Sequence, residues 1–465
     1  MSFTRRSFIV GAASGMSVLV LAACTDPSPA PTPSPTREPE VVPSPRSFYR
    51  SNWSGDAYAR GATTYTAVGS LPQSRETLRE PIDDRIFLAG EALSDDPGTV
   101  RGAVTSGRSA AYLALAAMAP GERIAVVGAG AAGSSAARVL VAGGADVVVV
   151  EARDRTGGRI DSNVVGDEFF ELGAWRLDET VDGGVIDAAR QEGVEFVPVQ
   201  GGSAFGADGA DAPLEQSTDD AVILAEALAE ASAWALAQGE DVPVADAVRE
   251  GVDLESWVTE GGPTSSELAD QTLLSIAALT GADPGVLSSW FDVPAGGQSV
   301  VPVGPLSGFI DTALDGIDTA LSTAVTVISR SDSGVSLRLA TGESLSVDRV
   351  IVTAPVGVLR SDVLQFDPLL PVRYRGALSA LSVGDIELIR LEFDAPFWDT
   401  EAVWWVRDDD AVVRMWVNLL PATGRPVLLG VVAGADAAAL ADLSDAALRE
   451  AALRSLAPFA VQPTT

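Results

Sequence analysis

Arg123-Ile124-Ala125-Val126-Val127-Gly128-Ala129-Gly130-Ala131-Ala132-Gly133 opens the stretch that decides the fold. The β-branched run ending at Val127 predicts a short strand running into a Gly-x-Gly-x-x-Gly turn. An alanine-rich segment to about Ala142 predicts a helix, which Gly143-Gly144 ends. Val147 to Val150 predict a second strand, closing on Glu151. Strand, glycine turn, helix, strand and acid within about thirty residues form a dinucleotide site in an α/β fold. Gly128 permits the tight turn, Gly130 admits a pyrophosphate, and Gly133, beside Ala132, lets helix and strand pack closely. The helix N-terminus offers N–H groups to phosphate, and Glu151 is placed to accept from ribose hydroxyls.

The fingerprint alone does not choose between NAD and FAD; the residues after it do. Glu151-Ala152-Arg153-Asp154-Arg155-Thr156-Gly157-Gly158-Arg159-Ile160 resembles the extended motif of the flavin amine oxidase family. That resemblance implies FAD, with Arg153 and Arg159 flanking the pyrophosphate and ribityl region and Gly157-Gly158 close to the flavin. It also implies a Rossmann-like, glutathione-reductase-type FAD domain (49–175 and 296–360) and an α+β substrate domain with a mixed sheet (176–295 and 361–465). Asp219 to Gln238 reads as a helix of the latter. A covalent flavin thioether needs a cysteine near Gly61, and none stands there, so FAD is expected to bind noncovalently.

The order of segments departs from the family's. Trp53-Ser54-Gly55-Asp56-Ala57-Tyr58-Ala59-Arg60-Gly61, Arg85-Ile86-Phe87-Leu88-Ala89-Gly90-Glu91 and Pro97-Gly98-Thr99-Val100-Arg101-Gly102-Ala103 resemble the family's closing flavin-binding segment, yet precede the fingerprint. Val325-Thr326-Val327-Ile328 and Val350-Ile351-Val352-Thr353 resemble strands returning to the FAD domain. Circular permutation is the reading, with the chain ends near Ser47 and Thr465 expected close together. Strand 85–89, a helix from about 105 to 118 and strand 124–127 should form a right-handed βαβ unit of parallel neighbours. By the resemblance, Gly90, Glu91, Thr99, Val100 and Val325 join the cofactor contacts; Glu91 acts near the ribityl and phosphate region through water.

The substrate clue is Glu171-Leu172-Gly173-Ala174-Trp175-Arg176-Leu177. It resembles the stretch of L-amino-acid oxidases whose arginine holds the substrate carboxylate, and Arg176 falls on that position beside the flavin contacts Gly173, Ala174 and Trp175. An ion pair of Arg176 with Glu171 or Asp178 is the alternative reading. Ala62 and Thr99 stand where monoamine oxidases place an aromatic sandwich, and Trp404-Trp405 are candidates for an aromatic wall or a core pair. Ala395-Pro396-Phe397-Trp398 resembles a landmark of the substrate domain, and ten residues before Trp398, where most members carry a lysine tied to dioxygen chemistry, stands Leu388. Arg176, Leu388 and Trp398 are therefore the candidate catalytic residues. The expected reaction is oxidation of an amine, foremost an L-amino acid, to an imine that hydrolyses with release of ammonia. Dioxygen or another acceptor takes the electrons; the alternatives are an amine or polyamine dehydrogenase using a non-oxygen acceptor, or an inactive FAD-binding surface protein.

Composition removes other chemistries. All 31 cations are arginine, histidine is absent, and the net charge is −33. Ser-His-Asp triads, histidine metal sites and lysine Schiff bases are excluded, and so acidic a chain is not a nucleic-acid binder. Thr4-Arg5-Arg6-Ser7-Phe8-Ile9 reads as a twin-arginine export signal. Leu21-Ala22-Ala23-Cys24 resembles a lipobox, so residues 1–23 are read as signal and Cys24, the only cysteine, as a lipid anchor. The Pro/Ser/Thr-rich residues 24–48 are read as an extended tether. The expectation is a cell-surface lipoprotein on the outer face of a bacterial cytoplasmic membrane.

Overall fold

The computed structural model describes residues 42–70, 73–165, 168–198, 203–206, 220–258, 264–290, 299–398, 404–407 and 411–460. The signal, Cys24 and most of the tether lie outside them. At the centre is a five-stranded parallel sheet, ordered Asp318–Ala320, Asp146–Val150, Arg123–Val127, Arg349–Val352, Ile86–Leu88. Its strands are nearly continuous Val, Ile and Ala, as a sheet covered on both faces requires. Ile124, Val126, Val147 and Val149 face helices Val100–Ala117 and Ala131–Ala142, while Ala125, Val127, Val148 and Val150 face a second core with Ile328, Leu337 and Tyr374.

Helix Val100–Ala117 carries the chain from Ile86–Leu88 to the fingerprint strand Arg123–Val127. The two strands are parallel but are not neighbours, which corrects the sequence expectation: Arg349–Val352 lies between them. The crossover skips one position, and the later strand enters it, bonded through Asp348 N–H to Arg123 C=O and Thr353 N–H to Val127 C=O, both at 2.9 Å. A Cβ on Gly107 would lie 2.0 Å from Ala132 O, so a glycine there lets the two helices touch.

A six-stranded mixed sheet stands beyond this layer, ordered Ser47–Arg50, Ile386–Glu392, Val427–Ala433, Met415–Asn418, Trp404–Arg407, Ser203–Gly206. Only the last pairing is parallel. Strand Ile386–Glu392 alternates with period two. Ile389 and Leu391 face a core with Trp398, Trp416 and Leu428, whereas Ile386 and Leu388 face another with Trp175, Met415 and Val431. The alternation fixes which side chain reaches the site described below. Val42 and Phe48, early in the chain, and Phe459, near its end, pack on the Trp398 cluster, where Ala460 bridges to Trp398. The expected helix in the 219–238 region is present as Asp220–Gln238.

Candidate active site

A cavity of about 1130 Å³ runs past the carboxyl ends of the parallel strands, where open α/β sheets bind ligands. Gly128 sits at φ 106°, a conformation that strains any side chain. A Cβ on Gly133 would lie 1.9 Å from Gly128 O, so this glycine closes the turn onto the helix. Gly128, Gly130, Ala132, Glu151, Arg153, Gly158, Arg159 and Val325 line the cavity; Gly133 lies behind the wall. Glu151 accepts from Ala129 N–H and Arg153 N–H, both at 2.8 Å, which fixes its carboxylate across the glycine turn.

The segment preceding the fingerprint supplies the facing wall through Gly90, Glu91, Thr99 and Val100, with Ala62 beside them. Glu91 accepts from Thr64 Oγ1 at 2.9 Å, Gly98 N–H at 2.8 Å and Arg159 Nη1 at 3.0 Å. Arg153 Nη2 reaches Asp56 at 2.7 Å and its guanidinium lies 5.7 Å from the Tyr58 ring centre. At the start of helix Val100–Ala117, Thr99 Oγ1 takes the N–H of Gly102 and Asp182 takes that of Arg101, both at 2.9 Å. The N–H of Val100 has no intrahelical acceptor at that position, and Val100 lines the cavity.

Further along, Gly173, Ala174, Trp175, Arg176 and Leu388 line the same cavity. Arg176 has no hydrogen bond and no ion pair among the described residues; its guanidinium lies 6.0 Å from the Trp175 ring centre. Burial away from bulk water pushes it down to about 10, opposed by the charges of Asp178 and Asp182. The ion pair of Arg176 with Glu171 or Asp178, the alternative from sequence, is not formed. Glu171 instead accepts from Asp161 N–H at 2.5 Å and Ser162 Oγ at 2.6 Å. Leu388 is 1% exposed, and no ammonium group takes its place, since the chain has no lysine.

The sequence model described as flavin containing amine oxidoreductase matches residues 33–115 and 131–461. The chain belongs to this family. Among relatives it is similar to polyamine oxidase 4 of Oryza sativa subsp. japonica, 28% identical over 369 residues, covering 73% of this chain and 74% of that one. It is also similar to lysine-specific histone demethylase 2 of Homo sapiens, 26% identical over 70% of this chain and 42% of the relative. In fold it resembles a solved putrescine oxidase bound to putrescine, with TM-score 0.55, 22% identity, and 73% and 81% of the two chains covered.

This flavin amine oxidoreductase has a cavity that fits its cofactor, FAD. The fingerprint lies at one end, two arginines in the middle and a helix N-terminus at the other. Thr63 Oγ1, buried in the wall without a hydrogen-bond partner, is an orphaned polar atom that a ligand can satisfy. The volume exceeds the usual 300–1,000 Å³ of a ligand pocket, which leaves room for a substrate beside the cofactor.

One candidate does not belong to the site. Trp398 is absent from the cavity wall: it packs edge-on to Phe393 and Phe397, with ring centres at 5.6 and 4.9 Å, and donates Nε1–H to Asn418 Oδ1 at 3.3 Å. Its apolar bulk anchors the core on the far face of the mixed sheet, so it is not a catalytic residue. Trp404 and Trp405 lie in a strand, but their side chains fall outside the described residues. The sequence reading also missed wall residues. Asp182, and Glu226, Gln271 and Ser275 from helices Asp220–Gln238 and Ser265–Thr280, carry no local motif, and Asp178 stands out in sequence only as an ion-pair partner of Arg176. Only the Asp-Gly-Gly at 182–184, a helix-start signal, hinted at Asp182.

Proposed function

We propose that this flavin amine oxidoreductase oxidises an amine that carries a carboxylate, an L-amino acid foremost, to an imine that hydrolyses with release of ammonia. The observation that carries the reading is Arg176, an unpaired guanidinium on the cavity wall. A cation in a low-dielectric pocket with no ion-pair partner in contact is costly, and a substrate carboxylate lowers that cost through two parallel N–H···O bonds. An ammonium group would be repelled at Arg176 itself, which reserves that position for the carboxylate end of the substrate. FAD, held noncovalently by the residues above, supplies acceptance of hydride from the carbon bearing nitrogen. The protein's own part is to orient the substrate on Arg176 and to keep water from the apolar wall of Trp175, Leu388 and Met415.

Anaerobic mixing of the yellow holoprotein with amino acids and with the amines obtained by decarboxylating them tests this. Bleaching by the amino acids alone supports the role of Arg176; bleaching by the amines alone removes it, and bleaching by nothing favours an FAD-binding surface protein.

Leu388 favours a second element of the reading: electrons pass to an acceptor other than dioxygen. An uncharged, fully packed side chain there offers no cation to stabilise a developing superoxide charge. The twin-arginine motif and Leu21-Ala22-Ala23-Cys24 support an exported, lipid-anchored protein, a placement suited to a membrane acceptor. One feature supports circular permutation: Phe48, from the early part of the chain, and Phe459 share the Trp398 cluster. Within it, the proposed FAD domain centres on 49–175 with 296–360 and the substrate domain on 176–295 with 361–465, although strand Ser47–Arg50 joins the mixed sheet and Tyr374 the core under the parallel sheet.

A further inference from the structure

On the cavity wall Arg176 stands with Asp178 and Asp182, and the cation pairs with neither. Asp178 and Asp182 both line the wall and both act on the Arg176 charge, yet neither is within ion-pair distance of it. Backbone donors hold the carboxylates in place. Asp182 accepts from Arg101 N–H at 2.9 Å through Oδ1 and from Asp178 N–H at 3.2 Å through Oδ2. Asp178 Oδ1 accepts from the N–H groups of Thr180 at 2.8 Å and Val181 at 3.0 Å. The separation of guanidinium and carboxylates is thus maintained by the chain's own N–H donors, which leaves opposite charges on one wall for the two ends of a zwitterion.

An ammonium has no lone pair to assist departure of hydride from its α-carbon, so a proton must leave nitrogen first. In a chain without histidine or lysine, the carboxylates on the cavity wall are the leading candidates for the base. We propose that Asp182 accepts this proton. The inference rests on the reading that Arg176 binds the substrate carboxylate. The N–H bond breaks with its electron pair staying on nitrogen, an O–H bond forms on Asp182, and the neutral amine is then ready to give hydride to FAD, the oxidant of the family's reaction.

Asp182 suits the task better than Asp178 because it is 3% exposed whereas Asp178 is half-buried. Burial pushes its carboxyl up, as does the neighbouring charge of Asp178, while its two N–H donors and Arg101 hold it down. Arg176 is the other charged group facing it, and Arg101 is shared with Asp96 at 3.6 Å. Tyr65, also on the cavity wall, is pushed up by burial and stays protonated, so it is no base.

The test is the pH dependence of anaerobic flavin bleaching, with substrates whose ammonium groups differ in acidity. The proposal predicts an acid limb at the same pH for every substrate. In D182N the rate at neutral pH should fall about 10²-fold or more, recovering as pH approaches the ammonium pKa of the substrate. A wild-type limb that moves with each substrate overturns the proposal, and this measurement stands even if D182N does not fold. So does a D182N loss that is equal at every pH, which would make Asp182 only a brace between the 100–117 and 183–191 helices. Failure of the underlying reading looks different. R176Q would then leave amino-acid affinity unchanged, simple amines would bleach the wild type, and D182N would be judged with those amines.

Discussion

Arg159 Nη1 lies 3.0 Å from Glu91 Oε1, joining the residues that follow the fingerprint to the segment that precedes it. The same nitrogen donates to Ala62 O at 2.9 Å, and Glu91 is also held by Thr64 and Gly98. Glu91 is therefore a brace between the two halves of the cofactor wall, with its carboxylate committed to protein donors.

Substitution E91A removes three acceptor contacts and leaves Arg159 without its carboxylate partner, held only by Ala62 O. Its effect should be seen in retention of FAD more than in melting of the rest of the chain. A charge-assisted hydrogen bond contributes about 1.5–3 kcal/mol, so FAD affinity should fall about 10- to 100-fold. Equilibrium dialysis against free FAD measures it; unchanged affinity would show that Arg159 finds another partner at no cost.

Leu388→Lys puts a cation on the cavity wall in place of a fully packed leucine. Stopped-flow mixing of the reduced protein with air-saturated buffer should show faster return of yellow colour than in the wild type. Melting temperature should drop at the same time, because the buried ammonium must be desolvated. An unchanged reoxidation rate would break the link between this position and the choice of acceptor.

Glu171 ties residues 161–162 to the strand leading into Gly173-Ala174-Trp175-Arg176. Burial pushes its carboxyl from an ordinary 4.5 to about 7. A carboxyl raised on folding stabilises the fold fully below the unfolded value, and this contribution is lost as pH rises through the folded one. The melting temperature of the wild type relative to E171Q should therefore fall between about pH 4.5 and about pH 7. A flat difference across that window would mean that Glu171 is ionised throughout.

Much of this was legible because it is local. The fingerprint, its helix and Glu151 occupy a contiguous stretch whose glycines and β-branched runs have few other readings. Arg176 could be named from its neighbours, but its lack of a partner could not. Asp178 and Asp182 are kept from it by N–H groups of 101, 178, 180 and 181; the last three are local, but the bond from Arg101 exists only once helix Val100–Ala117 is docked. Trp398 misled because a landmark that recurs for packing reads, in sequence, like one that recurs for chemistry. The slot between strands 86–88 and 123–127 was invisible because its occupant arrives more than two hundred residues later.

Permutation has its own test. Phe48 and Phe459 pack on one cluster, so a short Gly/Ser linker should join the ends of the folded chain, with a new opening at Pro120-Gly121 between helix and fingerprint strand. The rearranged protein should fold and hold FAD with a melting temperature close to the parent's. Loss of folding with every linker long enough to span the ends would count against the permutation.

The most direct measurement of the central claim is binding of an amino acid that has no hydrogen on its α-carbon and so cannot be oxidised. Titrated into the holoprotein, it should perturb the flavin spectrum and saturate, while its decarboxylated amine should not. In R176Q its affinity should fall about 10- to 100-fold, the loss of one charge-assisted contact. Equal affinity in R176Q and wild type, or tighter binding of the amine, would contradict the account.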